Sequence, residues 1–196
     1  MLFIISPAKT LDYSSPISIQ GQSDIPFLKE SKQLMKVLKK YKADDIAKLM
    51  NVSSKIAYLN HDRFAQWQVP FIEEESRQAL YAFKGEVYNG IDAYSLSQDD
   101  TDYAQEHMRM LSGLYGLLRP YDMILPYRLE MGTKLENSKG KNLYEFWGDK
   151  ISKLLNEDET EVIINLASNE YFKGIDKKAL KAQVINIVFK ELKNDT

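Results

Sequence analysis

Residues 111–132, LSGLYGLLRPYDMILPYRLEMG, constrain the fold more than any other part of the sequence. Three glycines and two prolines prevent one continuous helix here. The segment is nevertheless too apolar for a solvated linker. We therefore predict an irregular wall of a cleft, in which Gly113 and Gly116 permit close backbone approach.

Composition narrows the class of protein. The chain has 196 residues, 44% hydrophobic and 28% charged, which suits one globular domain. The net charge of −2 means that any nucleic-acid contact requires a local basic face. The absence of cysteine excludes disulfides, thiolate-held iron–sulfur clusters and thiol peroxidases. With only two histidines, we expect no metal site, and we predict no cofactor.

No apolar run approaches the ~20 residues of a membrane span. The first residues, MLFIISPAKT, also lack the basic start and small-residue cleavage site of a signal peptide. We therefore predict a cytoplasmic protein without membrane association.

Periodicity predicts interspersed helices and strands without a regular alternation of the two. The predicted strands are residues 2–5, 161–167 and 183–190, and a short extended piece lies between turns in residues 84–90. The predicted helices are residues 24–41, 44–50, 53–67, 73–83, 99–115 and 142–155. This pattern favours a mixed α/β or α+β single domain over a doubly wound fold.

Polar residues follow two of the predicted strands. Ser6, Lys9 and Thr10 come after the first strand, where Lys9 can bind a phosphate or a carboxylate, or can simply be a surface lysine. The absence of glycine there argues against a nucleotide-triphosphate loop. Asn165, Ser168 and Glu170 follow the strand at 161–167. They are cleft candidates, although Ser168 also fits the cap of a short helix.

Arginines and tyrosines within residues 111–132 are a second group of candidates. Arg119, Tyr127 and Arg128 can face an anionic ligand, since arginine binds phosphate or carboxylate through two hydrogen bonds. The alternative is internal ion pairing, for example between Arg128 and Glu130.

A basic surface is predicted in residues 29–48, which carry seven lysines against three acids. It suits a phosphate backbone, or else is the solvated face of an amphipathic helix. Residues 44–64 predict two helices with a tight connection. A helix–hairpin–helix would contact phosphates there through backbone amides at the start of the second helix, assisted by Lys55 and Arg63, although the usual glycines are missing and an ordinary helical hairpin also fits.

Several long motifs resemble the bacterial YaaA family of peroxide-stress proteins. They are SPAKTLDY, KLMNVSSKIAYLN, RFAQW, MLSGLYGLLRPYDMILPYRLEMG, NLYEFWGD and INLASNEYF. The resemblance implies a cantaloupe-type fold with a helix–hairpin–helix element and a basic cleft. It also implies a hydrogen peroxide stress response that keeps unincorporated iron low, and sequence-nonspecific binding of duplex DNA.

The resemblance assigns no catalytic residue. It also implies that family members continue beyond residues 183–190 into a hairpin and a basic segment, so we expect residues 1–196 to be one domain truncated at its C-terminus. Three functions follow, in order of preference. They are a DNA-binding stress protein, an enzyme acting on nucleic acid or a phosphorylated small molecule in a cleft of Lys9, Arg119 and Arg128, and a direct iron binder.

Overall fold

A computed structural model describes residues 1–188. The strands, in chain order, are β1 (Leu2–Ile5), β2 (Thr10–Leu11), β3 (Arg77–Gln78), β4 (Phe83–Lys84), β5 (Met108–Ser112), β6 (Gly116–Leu118), β7 (Met123–Ile124), β8 (Val162–Asn165) and β9 (Gln183–Asn186). The α-helices are α1 (Leu28–Leu38), α2 (Ala43–Met50), α3 (Ser54–Gln66), α4 (Ala79–Ala82), α5 (Glu86–Ile91), α6 (Gln98–His107), α7 (Leu143–Trp147), α8 (Lys150–Glu157) and α9 (Asn169–Phe172). Two 3₁₀ turns lie at Glu73–Glu75 and Ala93–Ser95.

Five strands form a mixed central sheet in the order β6, β5, β1, β8, β9. β1 is parallel to β5 and β8, β8 is parallel to β9, and only β6 is antiparallel to its neighbour β5. β1 takes the central position because its apolar sequence suits burial on both faces; Leu2, Ile4 and Ile5 are all buried. The predicted mixed α/β class is confirmed.

The parallel strands end at one edge of the sheet, which we call the carboxyl edge. β1 ends at Ile5, β8 at Asn165 and β5 at Ser112, so the loops after them start close together. This geometry positions most of the polar candidates.

We call helices α1, α2 and α3 the basic helical layer, in which α2 packs against α3 and Lys39, just after α1, contacts the Trp67 carbonyl after α3. Leu34, Met35 and Leu38 of α1 are buried, which leaves the lysines of α1 on the opposite, solvent-facing side. Asn51, in the left-handed conformation with φ of 51°, turns the chain between α2 and α3. Ser53 then caps α3 by accepting a hydrogen bond from the Ile56 N–H at 3.5 Å. The two helices are a helical hairpin; a helix–hairpin–helix function remains a prediction.

The helix predicted for residues 73–83 is wrong. The segment instead contains the 3₁₀ turn Glu73–Glu75, then β3, α4 and β4. β3 pairs antiparallel with β7, which buries Arg77 and Gln78. These long-range partners override the local helical propensity. The structure also makes residues 86–91 helical, where the sequence predicts an extended piece.

The helix predicted for residues 99–115 is correct only in its first half. It begins after Ser97, whose side chain accepts from the Asp100 N–H, and it ends at His107. Met108–Ser112 is instead a strand with partners on both sides, β1 and β6. Its apolar residues continue the stripe of α6, so periodicity alone does not separate the two.

Two further predictions need adjustment. Residues 142–155 form two helices rather than one, because Gly148 has a φ of 51° that ends α7 before α8. The strand predicted for residues 183–190 is observed as β9, which pairs with β8. Residues 189–196 lie outside the described part of the chain.

Residues 111–132 pack in the core rather than along an open cleft. A Cβ atom added to Gly113 would overlap the Leu129 carbonyl oxygen, so only glycine fits. Gly116 has a φ of 73° and lies against the Trp147 ring. Trp147 Nε1 donates a hydrogen bond to the Gly113 carbonyl at 3.1 Å, which joins α7 to this segment. Within residues 1–188, no helix has both the length and the apolar character needed to cross a membrane.

Candidate functional site

Two serines meet at the carboxyl edge. Ser6 follows β1 and Ser168 follows β8. Ser6 Oγ accepts a hydrogen bond from the Ser168 N–H at 2.9 Å and donates one to Ser168 Oγ at 3.3 Å. Ser168 adopts the extended conformation of an N-cap at the start of α9, but its own side chain makes no capping hydrogen bond. The turns after the two strands are therefore held together.

An ion-pair triad lies at the same edge. Glu130 Oε1 lies 2.9 Å from Arg128 Nη2 and 3.3 Å from Lys9 Nζ. Arg128 and Glu130 are 17% and 25% exposed, whereas Lys9 is 64% exposed, so the arginine is fixed and the lysine is free to turn toward a ligand. Arg128 Nε is buried and has no hydrogen-bond acceptor among the described residues.

Glu170 joins the loop after Met131 to this edge. Its Oε1 accepts a hydrogen bond from the Gly132 N–H at 2.8 Å, and its carbonyl accepts one from the Tyr144 hydroxyl at 3.0 Å. A Cβ at position 132 would lie 3.0 Å from that carboxylate oxygen, so glycine allows this approach. We define the carboxyl-edge cluster by six residues: Ser6, Lys9, Arg128, Glu130, Ser168 and Glu170.

Buried tyrosines support the cluster from below. Tyr88 donates a hydrogen bond to the Ser6 carbonyl at 2.9 Å, and the Tyr127 hydroxyl lies 2.6 Å from Ser112 Oγ. Burial raises the pKa of Tyr88 and Tyr127 above the ordinary tyrosine value. The pKa of Tyr171 is also raised, first by burial and then by the neighbouring Tyr127 hydroxyl. The raised pKa values favour the protonated form of all three phenols, and Tyr88 uses its proton to donate to the Ser6 carbonyl.

The cluster has the chemistry of anion binding rather than of serine hydrolysis. Neither serine has a histidine beside it: His61 lies in α3, and His107 ends α6 with its Nδ1 3.1 Å from the Met1 carbonyl. Lys9 and Arg128 instead offer a movable and a fixed cation, both paired with Glu130, at the edge where the two serines meet. In residues 1–188, no group of three or more histidine, cysteine, aspartate or glutamate side chains is placed to hold a metal ion.

Arg119 does not share the cleft predicted for it. β6 runs antiparallel to β5, with Leu118 opposite Met110, so the residue after β6 lies at the amino edge of the sheet. There Arg119 Nη2 lies 3.1 Å from Asp122 Oδ1 and donates to the Asp24 carbonyl at 3.1 Å. Burial raises the pKa of Asp122, partly offset by hydrogen bonds from Ser23 and Arg119.

Two other cleft candidates also have internal roles. Tyr127, predicted to face a ligand, is only 4% exposed and its ring packs against Tyr115. Asn165 donates a hydrogen bond to the Asn186 side chain at 2.9 Å and accepts one from the Ala167 N–H at 3.0 Å. Both residues therefore fix the scaffold under the cluster.

The remaining phosphate candidates lie apart from the cluster. Thr10 is exposed in the small β2–β4 sheet, opposite Lys84. Lys55 is exposed in the first turn of α3. Arg63, on the last turn of the same helix, is half-buried and lines a separate pocket. The sequence does not indicate the supporting tyrosines Tyr88 and Tyr171, because only long-range packing brings them to this edge.

A second candidate region is the solvent-facing surface of α1, α2 and α3. We call it the α1–α3 face and define it by seven exposed lysines: Lys29, Lys32, Lys36, Lys40, Lys42, Lys48 and Lys55. None has a carboxylate within 4.0 Å among the described residues. Lys39 differs, because its Nζ donates to the Trp67 carbonyl at 2.7 Å beyond the end of α3. Residues 28–66 carry a net charge of +5, against −7 for the rest of the sequence.

Comparison with known proteins identifies the family. The family model described as "Peroxide stress protein YaaA" matches residues 1–196. This chain belongs to the YaaA family of peroxide stress proteins. Two curated relatives, each named "UPF0246 protein", come from Aliivibrio fischeri strains MJ11 and ATCC 700601 / ES114. Each is 52% identical over 198 residues, covering 99% of this chain and 76% of the relative. This YaaA-family chain therefore spans about three quarters of their length.

Proposed function

We propose that this YaaA-family protein limits hydrogen peroxide damage by keeping unincorporated iron low, and that it binds duplex DNA without sequence selectivity through the α1–α3 face. Family membership supports the role in peroxide stress. The observation that carries DNA binding is the concentration of exposed lysines on one helical layer of an otherwise acidic chain.

The arrangement of the α1–α3 face suits a phosphate backbone. No carboxylate oxygen lies within 4.0 Å of its lysines among the described residues, so a polyanion would break no ion pair on binding them. Lys40 and Lys48 line one surface groove together with Tyr41, Asp45 and Leu49. The groove gives two cations and an aromatic ring beside one carboxylate, and its cations suit phosphate contacts in the absence of base readout.

Anisotropy of a fluorescent duplex across a salt series tests this proposal. Replacing Lys32, Lys36 and Lys40 with glutamine should weaken binding, and it should reduce the slope of log affinity against log salt by about 0.9 for each phosphate that the variant no longer neutralises. The matched control replaces three exposed lysines outside this layer, Lys134, Lys139 and Lys141, with the same change in net charge. Equal weakening in both triple variants would contradict a specific role for the α1–α3 face.

The iron-lowering role is tested in cells that lack the protein. During peroxide exposure, these cells should hold more chelatable iron, measured by electron paramagnetic resonance, and the gene encoding this chain should restore the lower level. An unchanged iron signal in the deleted strain would contradict this part of the proposal without touching DNA binding.

A second function is favoured by the carboxyl-edge cluster: an enzyme that takes a small phosphorylated molecule as its substrate. The observation is that Lys9 and Arg128 share Glu130, and that the buried Nε of Arg128 has no acceptor among the described residues. Calorimetric titration with pyrophosphate should detect binding that Lys9→Gln weakens and that the triple lysine variant of the α1–α3 face retains. The absence of heat with the unmodified protein would remove this candidate.

A further inference from the structure

A separate pocket lies beside the helical layer, on the side of α3 that carries Arg63. It has a volume of about 350 Å³ and lies between α3, the residues after β2, the segment Glu73–Glu75 and the residues after β7. Leu11, Leu125 and Pro126 provide apolar surface. A volume and lining of this kind are typical of sites for compact organic molecules.

Two aromatic side chains form walls that offer ring surface rather than hydrogen bonds. The Tyr13 hydroxyl donates to the Ile124 carbonyl at 2.8 Å, and Trp67 Nε1 donates to the Tyr115 hydroxyl at 3.0 Å. Both polar atoms are therefore already occupied inside the protein. The half-buried Tyr13 ring can therefore pack against an apolar or aromatic body, and Trp67, which is 4% exposed, lines the pocket beside it.

Arg63 is the charged group that makes the pocket selective. No hydrogen bond or ion pair uses its guanidinium within residues 1–188, although the side chain is half-buried. Burial lowers the pKa of Arg63, which means that the protein desolvates this cation without providing a counter-charge. An anionic ligand group would provide it, through two parallel hydrogen bonds.

Glu74 and Glu75 line the same pocket but do not neutralise Arg63. Both are exposed, and no oxygen of either lies within 4.0 Å of the guanidinium. The two carboxylates and the arginine belong to different elements and line one cavity without forming an ion pair. These carboxylates oppose a phosphate backbone, which argues against duplex DNA at Arg63.

We propose that this pocket binds a small dipolar molecule. Its carboxylate pairs with Arg63, its apolar or aromatic body lies between Tyr13 and Trp67, and its cationic or donor group faces Glu74 and Glu75. The separation of charges selects ligands whose anionic and cationic ends lie at opposite ends of the body. This proposal is independent of DNA binding and of the carboxyl-edge cluster.

The test uses 4-(aminomethyl)benzoate as the dipolar probe, with benzoate and benzylamine as analogues that each carry one of its charges. Trp67 lines the pocket, so tryptophan fluorescence reports binding, and calorimetry provides a second measurement. We expect the dipolar probe to bind more tightly than either analogue. Arg63→Gln should weaken it roughly tenfold to a hundredfold, the loss expected for a charged hydrogen-bonded pair.

Two controls separate the roles of the charges. Lys55→Gln, on the same helix but outside the pocket, should leave probe affinity unchanged. Changing both Glu74 and Glu75 to glutamine should reduce affinity for the dipolar probe to that for benzoate. An excess of duplex DNA should not displace the probe.

Three results would overturn the proposal. They are no binding of the dipolar probe by either method, full affinity in a folded Arg63→Gln variant, and equal affinity for the probe and benzoate. Thermal unfolding of the Arg63→Gln variant establishes that it is folded before its affinity is interpreted.

Discussion

The α1–α3 face and the carboxyl-edge cluster hold positive charge in opposite ways. On the face, seven exposed lysines have no carboxylate oxygen within 4.0 Å among the described residues. In the cluster, Arg128 and Lys9 share Glu130, and Glu170 is fixed by the Gly132 N–H. The lysines of the face attract a long polyanion but also repel one another. The ion pairs and hydrogen bonds of the cluster instead hold its few charged side chains in fixed positions. The two regions should therefore respond differently to substitution.

The largest effect is expected where the cluster depends on close packing. Gly113→Ala would place a Cβ atom against the carbonyl oxygen of Leu129. Leu129 lies between Arg128 and Glu130 in the chain, so the overlap would displace both residues of the ion-pair triad. We expect the free energy of unfolding to fall by about 3 kcal/mol, the upper range for overpacking. Urea denaturation measures it. Gly90→Ala is the control, because nothing lies within 4 Å of its added Cβ and alanine favours α5; equal losses of stability would contradict this account.

A smaller loss is expected when the ion-pair triad loses its shared acid. Glu130→Gln leaves Arg128 largely buried beside a neutral group, and we expect a cost of about 2 kcal/mol. The control is Lys153→Gln, which breaks the exposed Lys153–Asp149 pair and should cost much less, because solvent screens that pair. Chemical denaturation of both variants gives the comparison. A cost for Glu130→Gln no larger than that of the surface pair would mean that the triad is not structurally fixed.

A carboxylate outside both regions, satisfied by internal hydrogen bonds, should show a pH dependence. Hydrogen bonds from the Ser15 N–H, the Ser15 hydroxyl and the Ser14 N–H hold the pKa of Asp12 well below its ordinary value. The stabilisation is therefore complete above about pH 4 and is lost as the pH falls below that value. Asp12→Asn should cost about 1 to 2 kcal/mol at neutral pH.

The same variant should lose less stability than the unmodified protein between about pH 5 and pH 2. Ser15→Ala should give an intermediate slope, because it removes one donor and keeps the two backbone donors. Unfolding free energies across this pH range measure the effect. Parallel pH profiles for all three proteins would exclude Asp12 as a source of acid sensitivity.

The smallest effect on stability is expected on the α1–α3 face itself. Replacing Lys32, Lys36 and Lys40 with glutamine should change the free energy of unfolding by less than about 0.5 kcal/mol for each site. At low salt the change should be slightly stabilising, since it relieves repulsion between lysines. A large loss would show that these lysines support the fold, and it would end the contrast between the two regions.

The sequence predicts the class of fold better than its individual elements. β1 and β8 are recognisable as short apolar runs followed by turn residues. β5 is missed because Met108–Ser112 continues the apolar stripe of α6, and its pairing with β1 and β6 makes it a strand. Local periodicity does not contain that information, because one of the two partners, β1, lies about 100 residues away.

The same limit applies to the site. Ser6 and Ser168 are expected at one sheet edge because each follows a strand, and the structure brings them together. Arg119 is expected at the same edge. Because β6 runs antiparallel to β5, the chain after β6 emerges at the opposite edge of the sheet, and Arg119 lies there. The Arg63 pocket has no signal in the sequence, because its lining comes from four separate segments.

The central position of β1 has a consequence for how the protein is made. Its neighbours are β5, which begins at Met108, and β8, which begins at Val162. At ribosomal rates of about 5–20 residues per second, roughly 5–20 seconds pass between the synthesis of β1 and that of β5, and the synthesis of β8 comes later still. During that interval an apolar strand with two unpaired edges is available to other nascent chains. The hairpin of α2 and α3, whose helices pack against each other, can fold while β1 is still waiting.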